Sequence, residues 1–220
     1  MEPAETHPDR LIDFWEWLVE NSTQVILAII IIIGAVLIVH TQRLNTQLAE
    51  EAAGEDVLAA MDNRFSTDEV NPNATASGRF AKVVLNHPGT TGASNAKFLQ
   101  ASALFDEGKF MEADAAFAAY ASENLLSPLL AAAALGEAAS KKASLNDSGA
   151  SAAYEAVRNQ HAGTPEAAQA TLALGRMAMD VKDTSKAREF FTAVSTNRAS
   201  QYWASIAGEL LRQMAPVEGQ

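Results

Sequence analysis

The chain lacks cysteine and is poor in basic residues. With no cysteine among its 220 residues it can form neither a disulfide framework nor a thiolate site, and its compartment stays open by this criterion. Its 16 Lys and Arg stand against 27 Asp and Glu, which leaves a formal net charge of −11. An acidic chain of this kind is poorly suited to binding nucleic acid or to a polybasic grip on anionic lipid.

Recognisable catalytic and metal-binding motifs are also missing. The four histidines are scattered, and none forms a metal-spaced pair with another histidine or an acid. No glycine-rich phosphate loop follows a strand, because strand-like patterns are missing outside one apolar segment. Neighbouring acids such as Glu50-Glu51 are typical of a solvated helix face. We therefore expect no enzymatic activity, no cofactor and no metal.

The most prominent feature that is present is a run of 15 consecutive apolar residues, Val25 to Val39. A membrane-spanning helix needs roughly 20 mostly apolar residues, and the polar residues at both ends extend the segment to 22–41. A cleaved signal peptide would have a basic start and a small-residue cleavage site, and neither is present. Five successive isoleucines within the run argue against a buried core helix. The sequence predicts an uncleaved, single-pass transmembrane helix over 22–41.

A short acidic amphipathic tail, residues 1–21, precedes this span. Phe14, Trp15 and Trp17 lie where an interfacial aromatic belt is expected. The positive-inside rule counts Lys and Arg near the span, and Arg10 and Arg43 balance each other. Charge alone therefore does not orient the chain in a membrane.

Residues 76–220 contain an internal repeat with a period of 37 residues. Its clearest column is aromatic and consists of Phe80, Phe117, Tyr154 and Phe191. An alanine lies four residues before each member: Ala76, Ala113, Ala150 and Ala187. An apolar residue lies three residues after each member: Val83, Tyr120, Val157 and Val194. This spacing is one face of a helix, and the many alanines are typical of closely packed helices.

Each repeat also predicts a partner helix that precedes this one. Ala101, Gly136 and Gly175 are assigned to matching small positions, which makes the turn of the second unit two residues longer than the others. We expect three helical hairpins at about 92–122, 128–160 and 165–196, a half unit at 75–86 and a capping helix at 199–214. The predicted fold is all-α: an N-terminal transmembrane helix followed by a tetratricopeptide-like solenoid of helical hairpins.

Residues 42–75 connect the span to the repeats. Leu44, Leu48, Leu58 and Met61 have roughly helical spacing. We therefore expect the transmembrane helix to continue into solvent to about residue 63 and to pack on the first hairpin. A polar loop at 66–75 is expected to follow it.

The repeats resemble the tetratricopeptide repeat, in which a small residue is followed by an alanine 12 residues later and an aromatic four residues after that. Ala101–Ala113–Phe117 fits this pattern, and so does Gly175–Ala187–Phe191. The sequence departs from the family in two respects. The usual Trp and Tyr of the first helix are missing, and the period is 37 residues rather than about 34.

The order of parts resembles the YfgM-like proteins, ancillary subunits of the bacterial SecYEG translocon. An aromatic-rich tail (Leu11–Asn21), a span, a polar helix and a family-like first hairpin (Phe98–Phe117) follow one another. The resemblance implies an inner-membrane protein with a cytoplasmic amino end and periplasmic repeats. It also implies partnership with the translocon and with a membrane-anchored prolyl-isomerase chaperone, in the export or folding of periplasmic proteins.

Protein binding is the function that this arrangement favours. The first helices of stacked hairpins line a concave surface, which we term the predicted groove. Its residues are Asn95, Phe98, Ser102, Phe105, Ala133, Glu137, Gln169, Leu172, Arg176 and Met179. Such a groove suits an apolar or weakly acidic protein segment; alternatively, its apolar members belong to the core. Two other functions stay open: a tethered adaptor in another envelope-assembly complex and, with least support, an enzyme regulated by its repeats.

Overall fold

The computed structural model describes residues 9–62, 75–197 and 200–214, and within these ranges it contains ten α-helices and no strand. The helices are α1 (Asp9–Glu20), α2 (Ser22–Met61), α3 (Ala76–Asn86), α4 (Thr91–Asp106), α5 (Phe110–Glu123), α6 (Leu130–Ala143), α7 (Asp147–Gln160), α8 (Pro165–Asp180), α9 (Thr184–Ser195) and α10 (Gln201–Gln213). The predicted all-α class is therefore confirmed. The chain divides into two compact units, Met1–Glu51 and Ala52–Gln220.

The first unit contains α1 and most of α2. Helix α2 runs without interruption for 40 residues, and its apolar part has no residue buried within the protein. Its length and composition are those of a helix that can cross a membrane, and the predicted span 22–41 lies within it. The helical pattern is interrupted at Asn21, whose backbone N–H and side-chain amide both donate to the Trp17 carbonyl, at 3.0 Å and 2.9 Å.

The second unit contains the C-terminal end of α2 and the helices from α3 to α10. Each helix from α3 onward packs against the next one in the chain, because short connections keep sequential helices adjacent. Alternate helices α4, α6, α8 and α10 also contact one another in that order. Thr90 and Thr164 begin α4 and α8 in the same way, since each hydroxyl accepts a hydrogen bond from the backbone N–H three residues later.

The core is built from the predicted 37-residue columns. All four aromatic residues of the first column are buried, from Phe80 to Phe191, and so are the four apolar residues that follow them by three positions. The alanines at 113, 150 and 187 are fully buried, while Ala76 is half-buried. The repeat that the sequence shows is thus a repeat of core positions.

The end of α2 packs on α3 and α4 through a different face from the one predicted. Leu58 and Met61 are exposed, as are Leu44 and Leu48 in the first unit. The buried residues are instead Ala53, Val57 and Ala60, which pack with Phe80, Val83 and Ala96. The reason is the closeness of the helices: a Cβ at Gly92 of α4 would lie 2.6 Å from the Cβ of Ala53. Only small residues fit such an approach. The loop predicted at 66–75 lies outside the described residues except for Thr75.

The register predicted for the second hairpin is wrong by two residues. The turns between paired helices all contain three residues, 107–109, 144–146 and 181–183. Each has one residue with positive φ, namely Gly108, Leu145 and Lys182, and these are again 37 residues apart. The residue that corresponds to Ala101 and Gly175 is therefore Ala138, which is fully buried.

Gly136 permits close packing against a different helix from Gly175. A Cβ at Gly136 would lie 2.6 Å from the ring of Phe117 in the preceding helix α5. A Cβ at Gly175 would instead meet Phe191 in the following helix α9, at 2.4 Å. Both glycines permit close helix packing, but against different neighbours. The similar sequences Leu135-Gly136 and Leu174-Gly175 conceal this difference.

Candidate protein-binding surface

The helices that carry the predicted groove are α4, α6 and α8, and a row of alanines sets their packing. The row consists of Ala96, Ala133, Ala170 and Ala207, each 37 residues from the next and each 0% exposed. From Ala133 onward, each one packs in the core of the preceding helix pair. The last member places α10 in the same register as α4, α6 and α8. The sequence contains this column, but the many other alanines make it hard to single out.

Three residues of the predicted groove pack in the core, namely Phe98, Leu172 and Ala133. Phe98 packs edge-to-face on Phe117 and Tyr120, with ring centroids 5.8 Å and 5.6 Å away. Leu172, two periods later, is 1% exposed and packs with Phe191. The Phe98 and Leu172 side chains each join one helix to the next along the chain; Leu172 is closed to a partner, whereas Phe98 stays half-buried.

The second hairpin contributes different residues from those predicted, because of the register error. Ala133 is fully buried, as the alanine row requires. The Glu137 carboxylate accepts a hydrogen bond of 2.7 Å from Lys141 on the same helix, and Lys141 also donates to Asp114 of α5 at 2.5 Å. Burial would lower the pKa of Lys141, but the hydrogen bonds to Asp114 and Glu137 outweigh burial and raise it. This cluster joins α5 to α6.

Four of the remaining predicted residues, Ser102, Phe105, Arg176 and Met179, fall into two columns, which the corrected register completes with Ala139 and Lys142. The first column is Ser102, Ala139 and Arg176, and the second is Phe105, Lys142 and Met179. We call these six residues the open face. All six are half-buried or exposed; Arg176 is exposed and Met179 is 40% exposed. Of the other two predicted residues, Asn95 is exposed and Gln169 is half-buried.

The polar residues of the open face differ in the hydrogen bonds and ion pairs that they already make within the protein. The Ser102 hydroxyl donates to the Phe98 carbonyl at 3.1 Å. Lys142 donates to Asp147 at 3.0 Å and to Asp180 at 3.4 Å, and the hydrogen bond to Asp147 is the main reason why its pKa is raised. Arg176 makes no hydrogen bond or ion pair with any described residue. Its charge is therefore available to a ligand.

The apolar residues of the open face are partly shielded. Phe105 packs edge-to-face on Phe110 of α5, with ring centroids 5.2 Å apart, and stays half-buried. Met179 is an adaptable, polarizable side chain of the kind that suits variable partners. Together with Arg176 they form a mixed apolar and cationic surface.

A concavity lies apart from the open face, at the connections α3–α4 and α5–α6, with a volume of about 840 Å³. Leu125 and Leu126 line it and are exposed. Its polar groups satisfy one another: the Ser94 hydroxyl donates to Asn124 at 2.7 Å, and the Tyr120 and Ser127 hydroxyls are 2.7 Å apart. Apart from Asn95, none of its lining residues belongs to the predicted groove.

Glu107 connects the first hairpin to α3. Its carboxylate accepts the backbone N–H of Ser77 at 2.9 Å, the Ser77 hydroxyl at 2.8 Å and the Lys109 ammonium at 2.9 Å. Partial burial would raise the pKa of Glu107, but these hydrogen bonds and the Lys109 charge outweigh it and lower the pKa to about 2. The carboxylate thus stays charged at the N-terminus of α3, where the helix dipole favours an anion.

Within the described part of the chain, no group of three or more His, Asp or Glu side chains is arranged to hold a metal ion. Comparison of the sequence with protein-family models and with curated proteins returned no match.

Proposed function

We propose that the chain is a membrane-anchored scaffold whose tetratricopeptide-like repeats bind segments of other proteins. The observation that carries this proposal is the open face, which repeats with the period of the fold. Its two columns occupy the same positions on α4, α6 and α8, and these helices contact one another in sequence. A surface that repeats in this way suits an extended ligand, because each helix can contact the next part of it.

Three features support the tetratricopeptide-like solenoid within this proposal. The corrected register gives all three hairpins the same spacing, now including Ala138–Ala150–Tyr154. First helices contact first helices along the series. The last helix, α10, is polar where α8 is apolar: Ser205, Glu209 and Arg212 are exposed, while their counterparts one period earlier, Ala168, Leu172 and Gly175, are buried. A polar outer face is what the end of a solenoid requires.

The chemistry of the open face favours an apolar or weakly acidic ligand. Phe105 and Met179 offer apolar contact, and Arg176, which is unpaired among the described residues, offers a cation that can bind a carboxylate through two hydrogen bonds. Because the chain as a whole carries a net charge of −11, a strongly acidic partner would be repelled elsewhere on the surface.

We further propose that the scaffold works at the Sec translocon, with its repeats in the periplasm, where it assists protein export or folding. The support is the resemblance of the sequence to YfgM-like proteins, together with one helix that is long and apolar enough to be an anchor. An anchor raises the effective concentration of the open face near emerging chains. The proposed partners are the translocon and a membrane-anchored chaperone. The proposed role is binding, without catalysis.

Two experiments test these proposals. Crosslinking in native membranes, followed by identification of the neighbours, should recover channel subunits. Recovery of envelope-assembly proteins without channel subunits would instead favour the tethered adaptor. In spheroplasts, external protease should digest the repeats, and their protection would place them in the cytoplasm and contradict the periplasmic assignment.

A further inference from the structure

Helix α1 separates its acidic and apolar residues onto different sides. Asp13, Glu16 and Glu20 recur at intervals of three and four residues, so they form one stripe along the helix. At about 100° per residue, Leu18, Trp15 and Phe14 lie on the opposite side, about 130–170° from the centre of that stripe. Trp17 lies nearer to the stripe, at about 70°.

Among the described residues of α1, the aromatic side chains are largely exposed, while Leu18 is half-buried. Phe14, Trp15 and Trp17 are all more than half exposed, and Trp15 is 66% exposed. Phe14 and Trp17 stack on each other with ring centroids 6.3 Å apart, which shields only part of either ring. An apolar helix side of this size needs a partner that is not water.

The position of α1 in the chain indicates what this partner is. The apolar part of α2 begins within a few residues of Glu20, so α1 lies next to any bilayer that α2 crosses. Residues 22–41 already supply the roughly 30 Å that the hydrocarbon core requires. If α1 continued along the same axis, it would project beyond the hydrocarbon into water and leave Phe14 and Trp15 exposed there, which is unfavourable for large apolar side chains. The break at Asn21 allows α1 to leave that axis.

We propose that α1 lies in the plane of the membrane interface, with Leu18, Trp15 and Phe14 among the lipid chains and the acidic stripe in water. The occupant of its apolar side is lipid, because the adjoining span places the bilayer there. Helices with a strong division between polar and apolar sides bind interfaces in this orientation. The proposal rests on the membrane anchoring proposed above for α2.

The depths of the two tryptophans distinguish the possible orientations of α1. In the plane of the interface, Trp15 is deeper than Trp17, because it lies farther from the acidic stripe. Along the axis of the span the order reverses, since Trp17 is two residues, or about 3 Å, closer to the bilayer centre.

The test uses the full chain in phosphatidylcholine vesicles and three variants that each retain one tryptophan. Trp17→Phe with Trp203→Phe retains Trp15, and Trp15→Phe with Trp203→Phe retains Trp17. Trp15→Phe with Trp17→Phe retains Trp203, which lies in α10 and serves as the control. Fluorescence quenching by lipids brominated near the headgroup or near the chain ends gives the depth of the retained tryptophan in each variant.

We expect shallow-brominated lipid to quench both α1 tryptophans, Trp15 to be deeper than Trp17, and Trp203 to be unaffected. A deeper Trp17 would overturn the in-plane orientation. Quenching of Trp15 by aqueous iodide but not by lipid would place α1 in water, and quenching by neither would place it against protein, such as a second copy; both results overturn the proposal. Co-flotation with vesicles after a carbonate wash tests the anchor separately. A chain that does not float refutes the anchor, whereas a floating chain with reversed depths refutes only this inference.

Discussion

Close packing of α8 on α9 through Gly175 makes a specific prediction about stability. A Cβ at Gly175 would lie 2.4 Å and 2.7 Å from two ring carbons of Phe191, a side chain that is itself fully buried. Gly208, in the middle of α10, has no heavy atom within 4 Å of the same built Cβ. The same substitution, glycine to alanine, can therefore be compared at a tightly packed helix position and at an uncrowded one.

The magnitude follows from two opposing effects. Replacing glycine with alanine inside a helix stabilises it by up to about 1 kcal/mol, and both sites gain this contribution. Overpacking a buried site costs about 1–3 kcal/mol, and only Gly175→Ala incurs this cost. Both variants gain the same helix propensity, so this gain cancels when their free energies of unfolding are compared. We expect Gly208→Ala to raise the free energy of unfolding and Gly175→Ala to lie about 1–3 kcal/mol below it.

The assay is urea unfolding of the full chain in detergent micelles, followed by far-ultraviolet circular dichroism. The micelle keeps the apolar part of α2 helical, so the change in signal reports the second unit. Equal midpoints for Gly175→Ala and Gly208→Ala would refute the close approach of α8 and α9. A Gly175→Ala variant that is more stable than Gly208→Ala would contradict it more strongly.

Three further predictions concern other contacts. Gly92→Ala should give a lower free energy of unfolding than Gly208→Ala, because the new Cβ at position 92 would meet the backbone of Ala53. Urea unfolding of both variants measures this difference. Glu107→Gln should lower the free energy of unfolding at neutral pH by about 1–2 kcal/mol. This value already allows for the weakening of these interactions by solvent. Since the pKa of Glu107 is lowered from 4.5 to about 2, this difference should hold above about pH 4.5 and close as pH falls towards 2. Arg176→Glu should weaken partner crosslinking without lowering stability, whereas Lys82→Glu on α3 should leave crosslinking unchanged.

Much of the fold could be predicted from the sequence because the same positions are buried in every repeat. The aromatic column from Phe80 to Phe191 indicates the buried face of a helix in each repeat, and all four residues are buried in helices. The expected bounds of about 92–122, 128–160 and 165–196 lie within a few residues of the helix ends, because turn residues interrupt the helical pattern.

The errors have physical causes. Gly136 resembles Gly175 in its local sequence, and only the contact with Phe117 rather than with Phe191 separates their roles. Hydrophobicity favours the leucine face of α2 for packing, whereas the close approach to Gly92 requires the alanine face. Phe98 was assigned to a groove from its helix position, but its ring turns towards α5. Side-chain direction of this kind does not follow from sequence spacing alone.

The central claim, that the open face binds protein at the translocon, is tested most directly by site-specific photocrosslinking. A photoreactive phenylalanine analogue at position 105 or 176 should crosslink to a channel subunit or to the membrane-anchored chaperone. The same analogue at Glu189, which is exposed on α9, should give none of these products. Equal crosslinking from positions 176 and 189, or crosslinking from position 189 alone, would contradict the account.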